Sequence, residues 1–281
     1  GNEVFFGDMG QHGQWDRGQP LCQITALMVQ CAIGCIRSYL PVCRAGRWRV
    51  PLARLPVLHA PRWTVMTDSR IASLQQACPG LKLKTDPADL EHYGRDWTRR
   101  WTPAPLAVAL PATVEEVQAV MRWSAGEGVP VVPSGGRTGL SGGAVAANGE
   151  LVLSLERMNK ALAYDAVDRT LVVQAGMPLE AVHNAALDHG LIYPVDFAAR
   201  GSCTIGGNIA TNAGGIRVIR YGNTREWIAG LKVVTASGEL LELNKGLIKN
   251  SSGYDFRQLL IGSEGTLGVI VEATVKLTDP P

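Results

Sequence analysis

Three glycine-rich segments hold the residues whose types and spacing suit ligand chemistry. The first, PSGGRTGLSGG over residues 133–143, sets Gly136, Gly139 and Gly142 at every third position. That spacing lets backbone N–H groups converge on an anion, because no side chain blocks the approach. Arg137 adds a fixed positive charge able to fork onto two phosphate oxygens. A plain flexible turn is the rival reading. The second, GSCTIGGNIATNAGGIRVIRYG over residues 201–222, brackets NIATNA with Gly206-Gly207 and Gly214-Gly215. Thr204, Asn208, Thr211 and Asn212 offer hydroxyl and amide groups, which satisfy a polar ring or a diphosphate without adding charge. Ile205 and Ile209 are spaced to anchor the segment to a core; a glycine-rich packing loop is the alternative. The third, IGSEGTLGVI over residues 261–270, again mixes Gly with Ser and Thr, and Glu264 is its one acid. Pairing with a nearby N–H or Arg explains Glu264 as well as a catalytic role does.

Several chemistries are excluded. The chain has no GxxxxGK[ST], so it is not a P-loop ATPase, and no GxGxxG, so the Rossmann dinucleotide fingerprint is absent. A formal net charge of +2 lacks the basic stripe of a nucleic-acid binder. Leu21–Ile36 is apolar but short for a membrane span, and Gln23 and Gln30 interrupt it, so no transmembrane segment is expected. After Met66 no His/Glu cluster has metal-ligand spacing, and no metal is assigned. Only Cys78 and Cys203 follow Met66. Two distant cysteines make no disulfide framework, which predicts a reducing, cytoplasmic setting.

The elements that must position these segments are legible in part. TVEEVQAVMRWSAGEG reads as a helix: Thr113 and Glu116 form a capping box, Val114, Val117, Val120 and Met121 share a face, and Gly126 or Gly128 ends it. MPLEAVHNAALDHG reads as another, burying Leu179, Val182 and Ala186. VPVVPSGG, LVLSL (151–155), TLVVQAG (170–176) and GVIVEATVKL (268–277) read as strands. GLKVVTASGELLEL is a hairpin turning at Ser237-Gly238, and YDFRQLLIG a short helix. Interleaved strands and helices with a hairpin predict an α+β domain.

Residues 1–65 differ from the rest. They hold seven Arg, no Lys and three acids, leaving 20 basic and 22 acidic residues beyond them. Four of the six cysteines (Cys22, Cys31, Cys35, Cys43) also lie there. Without sustained periodicity, this stretch reads as a non-native or disordered extension; a targeting segment or a Cys31/Cys35 metal site are the alternatives. Residues 66–102 read as a helical lead-in and 103–281 as the ligand-binding domain.

PSGGRTGLSGG, GSCTIGGNIATNAGG, RYG and GSEGTLG occur in this order. Together they resemble the p-cresol methylhydroxylase (PCMH)-type FAD-binding domain of the vanillyl-alcohol oxidase/p-cresol methylhydroxylase superfamily. The closer branch is the FAD-linked 2-hydroxy-acid dehydrogenases, which act on D-2-hydroxyglutarate, D-lactate or glycolate. PVDFAARGSCTIGGNIATNAGGIRVIRYG and HYGRDWTRRWTPAPLAVALPATVEEV are similar to the hydroxyglutarate group in particular. The resemblance spans about residues 85–277. It implies two α+β subdomains, about 103–163 and 164–281, with FAD between them and a C-terminal substrate (cap) domain beyond residue 281.

It also implies site residues. Ser134, Gly135, Gly136, Arg137, Thr138, Gly139, Leu140 and Gly142 would cradle the pyrophosphate. Pro194, Asp196, Gly201, Ser202, Thr204, Ile205, Gly207, Asn208, Thr211 and Gly214 would line the flavin and ribityl region. Glu264, Gly265, Gly268 and Ile270 would complete the adenine and ribityl side. Some relatives attach FAD through a His where this chain has Arg137, so non-covalent FAD is expected, with His183 and His189 as surface residues. The implied reaction is hydride transfer from C2 of a D-2-hydroxy acid to flavin N5, giving a 2-oxo acid. The electrons would pass to an electron-transfer flavoprotein, a quinone or a cytochrome. No catalytic residue is assigned; Arg217 and Arg220 follow the second loop and read as solvated, with a substrate or pyrophosphate contact as the alternative. A non-catalytic FAD-binding subunit, and an oxidase of alcohols or sugars on the same fold, remain as rival readings.

Overall fold

Short apolar runs punctuated by glycine and proline build two sheets. The computed structural model describes residues 69–281, so the expectations for residues 1–65, including Cys31 and Cys35, lie outside the described residues. In the first sheet β1 (Lys82–Lys84), β2 (Ala107–Leu110), β3 (Val131–Ser134) and β4 (Leu151–Ser154) run in the order β1-β2-β4-β3. Strand β4 pairs in parallel with both β2 and β3, while β1 joins the edge antiparallel. Every residue of β2 and β4 is buried, as continuous apolar strands covered on both faces should be.

The helix Val114–Glu127 links β2 to β3. Thr113 Oγ1 accepts the Glu116 N–H at 3.2 Å, and the Glu116 carboxylate accepts the Ala112 N–H at 2.6 Å. Gly128 closes the helix in the left-handed region, at φ 65°. Val117, Val120 and Met121 face the core.

The second sheet contains β5 (Ala161–Asp165), β6 (Thr170–Gln174), β7 (Ile228–Val234), β8 (Leu240–Leu243) and β9 (Val269–Lys276), all antiparallel, in the order β5-β6-β9-β7-β8. The β7–β8 hairpin turns at Ser237-Gly238. Its Gly238 carbonyl accepts from Gln118 Nε2 at 2.9 Å and Arg122 Nη1 at 3.2 Å, which ties this sheet to the helix of the first. The helix Leu179–Leu187 buries Leu179, Val182 and Ala186, and one apolar cluster joins both sheets. The architecture is therefore α+β.

One element departs from the sequence reading. The middle of the second glycine segment is a helix, Ile205–Ala210, not a loop. Two glycines in its first turn disfavour helix by about 1 kcal/mol each. The Thr204 hydroxyl caps it, and Ile205 and Ile209, one turn apart, are fully buried. Tertiary anchoring thus overrides propensity. Upstream, the helices Ser69–Ala77 and Pro87–Tyr93 flank β1. Cys78 and Cys203 are both free and buried. Among the described residues, no helix is long and apolar enough to cross a membrane.

Candidate functional site

The three glycine-rich segments converge on a cleft of about 740 Å³, inside the roughly 300–1,000 Å³ range of small-molecule sites. The end of β3 and its following loop form one wall. The helix Ile205–Ala210 and its flanks form a second, the turn into β9 a third, and Asp96 closes a corner.

Strand β3 delivers Ser134 to the cleft with 3% of its surface exposed, and its hydroxyl has no partner. From Gly136 to Ser141, no backbone N–H has an acceptor among the described residues. Arg137 within this run is left-handed, at φ 56°. Consecutive free N–H groups around a left-handed residue form an anion-binding concavity. The paired glycines, however, serve a purpose that their spacing did not reveal. A Cβ on Gly136 would overlap the Ser202 carbonyl oxygen, and one on Gly135 would overlap Thr204 Oγ1. These two glycines let the first segment press against the second.

On the opposite wall Thr204 Oγ1 accepts the Gly207 N–H at 3.4 Å, and Thr211 Oγ1 donates to the Gly207 carbonyl at 3.0 Å. Asn208 is 3% exposed and its Nδ2 has no partner. Ser134 and Asn208 both line the cleft, and each such buried polar atom left without a partner costs about 1–3 kcal/mol. A ligand with neutral polar edges would satisfy both. Cys203 lies beside them, and burial pushes its thiol pKa up, so it stays protonated.

Acidic groups at the cleft are already engaged. Asp96 is buried and accepts from the Thr98 N–H (2.9 Å), the Thr98 hydroxyl (2.7 Å) and the Gly142 N–H (3.2 Å). Glu264 sits at φ 50°, where its N–H donates to the Ala210 carbonyl at 2.8 Å and its carboxylate accepts from Ser141 Oγ at 3.1 Å. Asn212, at φ 48°, accepts the Arg225 N–H at 3.0 Å. Arg137, Asn212 and Glu264 are three left-handed non-glycine residues on one cleft, and such strain concentrates where geometry serves a ligand.

Sixteen of the expected residues line the cleft: Ser134, Gly135, Gly136, Arg137, Thr138, Gly139, Leu140, Thr204, Gly207, Asn208, Thr211, Gly214, Glu264, Gly265, Gly268 and Ile270. Six do not. Ile205 points into the core with no exposed surface. Asp196 opens instead onto a second, smaller hollow, with Arg200 at 3.6 Å and Arg217 at 3.8 Å. Pro194 is buried between Tyr193 and Val195. Gly142 is covered by the Trp101 ring, and Gly201 and Ser202 are exposed in the turn before the helix Ile205–Ala210. Arg217 and Arg220 both stay outside the cleft, the latter with its guanidinium 5.1 Å from the Tyr221 ring centre. His183 bonds the Val195 carbonyl at 2.9 Å and His189 stacks on Tyr164 at 3.6 Å; neither reaches the cleft. Among the described residues, no group of three or more His, Cys, Asp or Glu is arranged to hold a metal.

The sequence reading missed Asp96, Phe197, Ala199 and Cys203 as lining residues. For Asp96 a local signal existed: Asp-x-Thr is the pattern of a side chain that caps its own turn.

Comparison with known proteins agrees with this geometry. Residues 105–244 match the family described as FAD binding domain. The chain is 82% identical over 216 residues to a D-2-hydroxyglutarate dehydrogenase of Xanthomonas citri pv. viticola, covering 77% of this chain and 46% of that protein. It is 58% identical to the enzyme of the same name in Stutzerimonas stutzeri, over 77% of this chain and 47% of the relative. The mitochondrial D-2-hydroxyglutarate dehydrogenase of Bos taurus is 41% identical over 83% of this chain and 42% of its own length. The chain therefore spans just under half the length of these curated relatives. Among solved structures, an alkyldihydroxyacetonephosphate synthase superposes with TM-score 0.66 at 25% identity, over 76% of this chain and 44% of that one. Physcomitrella patens BBE-like 1 shares the fold at TM-score 0.64 and 23% identity, over 73% and 44% of the two chains. A cleft with a row of free N–H groups and two neutral orphans suits a dinucleotide, and the chain belongs to the FAD binding domain family, on the PCMH-type α+β fold, with FAD as its cofactor.

Proposed function

We propose that this chain is the FAD-holding part of a D-2-hydroxy-acid dehydrogenase, with D-2-hydroxyglutarate as the leading substrate and D-lactate or glycolate as its class neighbours. The carrying observation is the cleft with its row of unpartnered N–H groups, in a chain 82% identical to a D-2-hydroxyglutarate dehydrogenase over 216 residues. In this reading the Gly136–Ser141 N–H groups hold the pyrophosphate. Ser134, Thr204, Asn208 and Thr211 bond the ribityl chain and flavin edge, and Glu264 to Ile270 border the adenine side. With Arg137 where some relatives carry an attaching His, the cofactor is held without a covalent bond. Bound there, FAD supplies the two-electron acceptor that turns the hydroxy acid into a 2-oxo acid.

The cleft's own residues position and shield; they do not take the hydroxyl proton. Its ionisable side chains are Asp96, Arg137, Cys203 and Glu264. Asp96 already accepts three hydrogen bonds, Glu264 accepts from Ser141, and Cys203 is protonated. The base for the substrate hydroxyl and the cation for its carboxylate then come from outside the cleft's lining. A non-catalytic FAD-binding module would have the same cleft, which keeps that second reading in play. Anaerobic mixing of the FAD-loaded protein with D-2-hydroxyglutarate separates them. Bleaching of the flavin's visible absorbance is expected for the dehydrogenase. An unbleached flavin with D-2-hydroxyglutarate, D-lactate and glycolate alike would leave the module.

A further inference from the structure

Arg137 has an unusual posture for a phosphate ligand. Its backbone is left-handed, yet its guanidinium turns onto the Tyr93 ring, 4.6 Å from the centroid. Nη1 donates to the Gly135 carbonyl at 3.1 Å, and Nη2 lies 3.0 Å from His92 Nε2. Tyr93 is itself fixed: it is 5% exposed, and its hydroxyl donates to both Glu156 oxygens, at 2.9 and 2.8 Å. Lys84 sits 4.9 Å from the same ring and is held by Asp89 at 2.8 Å. Tyr93 and His92 end the helix Pro87–Tyr93, which precedes the residues matched to the family.

We propose that Arg137 is a positioning residue rather than a phosphate ligand: it clamps the first glycine loop to the helix Pro87–Tyr93, and the clamp closes only while His92 is neutral. The proposal rests on the reading of this loop as the FAD pyrophosphate site. The chemistry of the pair sets the condition. A guanidinium has five donors and no acceptor, so His92 Nε2 must be the acceptor and the ring must carry its proton on Nδ1. Protonating Nε2 removes the only acceptor at that position and sets two cations 3.0 Å apart.

The surroundings of the exposed His92 ring reinforce this. Its pKa is held below the ordinary value, first by partial burial and then by the Arg137, Arg95 and Lys84 charges; Asp89 alone opposes them. Tyr93, its edge-on aromatic neighbour at 5.0 Å, is neutral, because burial pushes its pKa up. The closed clamp therefore binds fewer protons than an open one, in which His92 returns toward about 6.5. Closure is fully available above that pH and is lost as pH falls through the lowered value. The left-handed backbone at Arg137 is strained, and the three guanidinium contacts offset that strain.

The test is FAD titration of the full chain, followed by flavin fluorescence quenching, between about pH 5 and pH 8. Arg137→Lys keeps the charge but cannot stack and fork at once, and is expected to weaken FAD binding by about tenfold or more at the upper pH. Wild type should lose affinity several-fold at the lower pH. His92→Gln carries an amide oxygen that accepts from Arg137 and does not titrate, so it should bind like wild type at the upper pH and keep its affinity at the lower one. Arg137→Lys binding as tightly as wild type would overturn the clamp, since charge alone would then suffice. Superimposable pH profiles for wild type and His92→Gln would overturn the His92 condition, even if Arg137→Lys fails to fold. Wild type failing to bind FAD at any pH would instead bring down the cofactor-site reading and the clamp with it.

Discussion

Alanine at Gly136 asks whether the two glycine segments must touch for the cleft to exist. A Cβ there would lie 2.7 Å from both the Cys203 Cα and the Ser202 carbonyl carbon, and it would overlap the Ser202 oxygen. All three are backbone atoms, so no rotamer change relieves the contact. Carbon atoms rest at about 3.5–4.0 Å, so the segments must part by roughly 1 Å. Overpacking of this kind costs about 1–3 kcal/mol, and a backbone-on-backbone clash belongs at the upper end. For a domain of this size, about 2–3 kcal/mol lowers the melting temperature by about 4–12 °C. FAD affinity should fall with it, because Ser134 Oγ and Asn208 Nδ2 lie on walls that have moved apart. Gly139→Ala is the control: its Cβ meets nothing within 4 Å, so cofactor-free melting should stay within about 0.5 kcal/mol of wild type. The assay is thermal unfolding by circular dichroism without FAD, then FAD titration by fluorescence quenching. Gly136→Ala melting with wild type would refute the argument, because the two segments would then not be pressed together.

Two further outcomes follow from the same contacts. Thr204→Ala removes the cap of the helix Ile205–Ala210 and should cost about 1 kcal/mol in urea unfolding, while Thr204→Ser should recover most of it; equal losses would mean that the cap contributes nothing. Asp96→Asn keeps an oxygen for Thr98 but turns an amide donor toward the Gly142 N–H, which should cost about 1–3 kcal/mol and weaken FAD binding; unchanged affinity would separate Asp96 from the loop's geometry.

What the sequence disclosed was whatever is written locally. The helix Val114–Glu127 carries its own start and stop signals in Thr113, Glu116 and Gly128, and the structure uses all three. The hairpin at Ser237-Gly238 is equally self-contained. Strand β2 escaped notice because two of its four residues are alanine, a type depleted in strands, whereas the equally buried β4 is written in Leu and Val. Strand β5 escaped for another reason: it is an exposed edge whose run, ALAYD, shows no alternation of apolar and polar residues. The helix Ile205–Ala210 could not be read from propensity, since Gly206 and Gly207 argue against it. Docking of Ile205 and Ile209 decides the matter, and docking is a tertiary fact.

The same division runs through the site. Glycine content pointed to the segments that line the cleft, but for a partly different reason. Spacing suggested glycines that open a path to an anion, whereas Gly135 and Gly136 have their missing Cβ directed at the other segment. The charge of the wall shows why that packing matters. Asp96 and Glu264 are acidic, and the one lining cation, Arg137, has its guanidinium committed to Tyr93, His92 and Gly135. Under the proposed reading, side-chain charge therefore does not hold the pyrophosphate. The attraction must come from backbone N–H groups, and these act only if the loop is fixed before the ligand arrives. The Ser202–Gly136 contact, the Asp96–Gly142 bond and the Arg137–Tyr93 stack each fix it from a different part of the chain. Fixing this row of N–H groups is thus the work of three long-range contacts, which no local motif discloses.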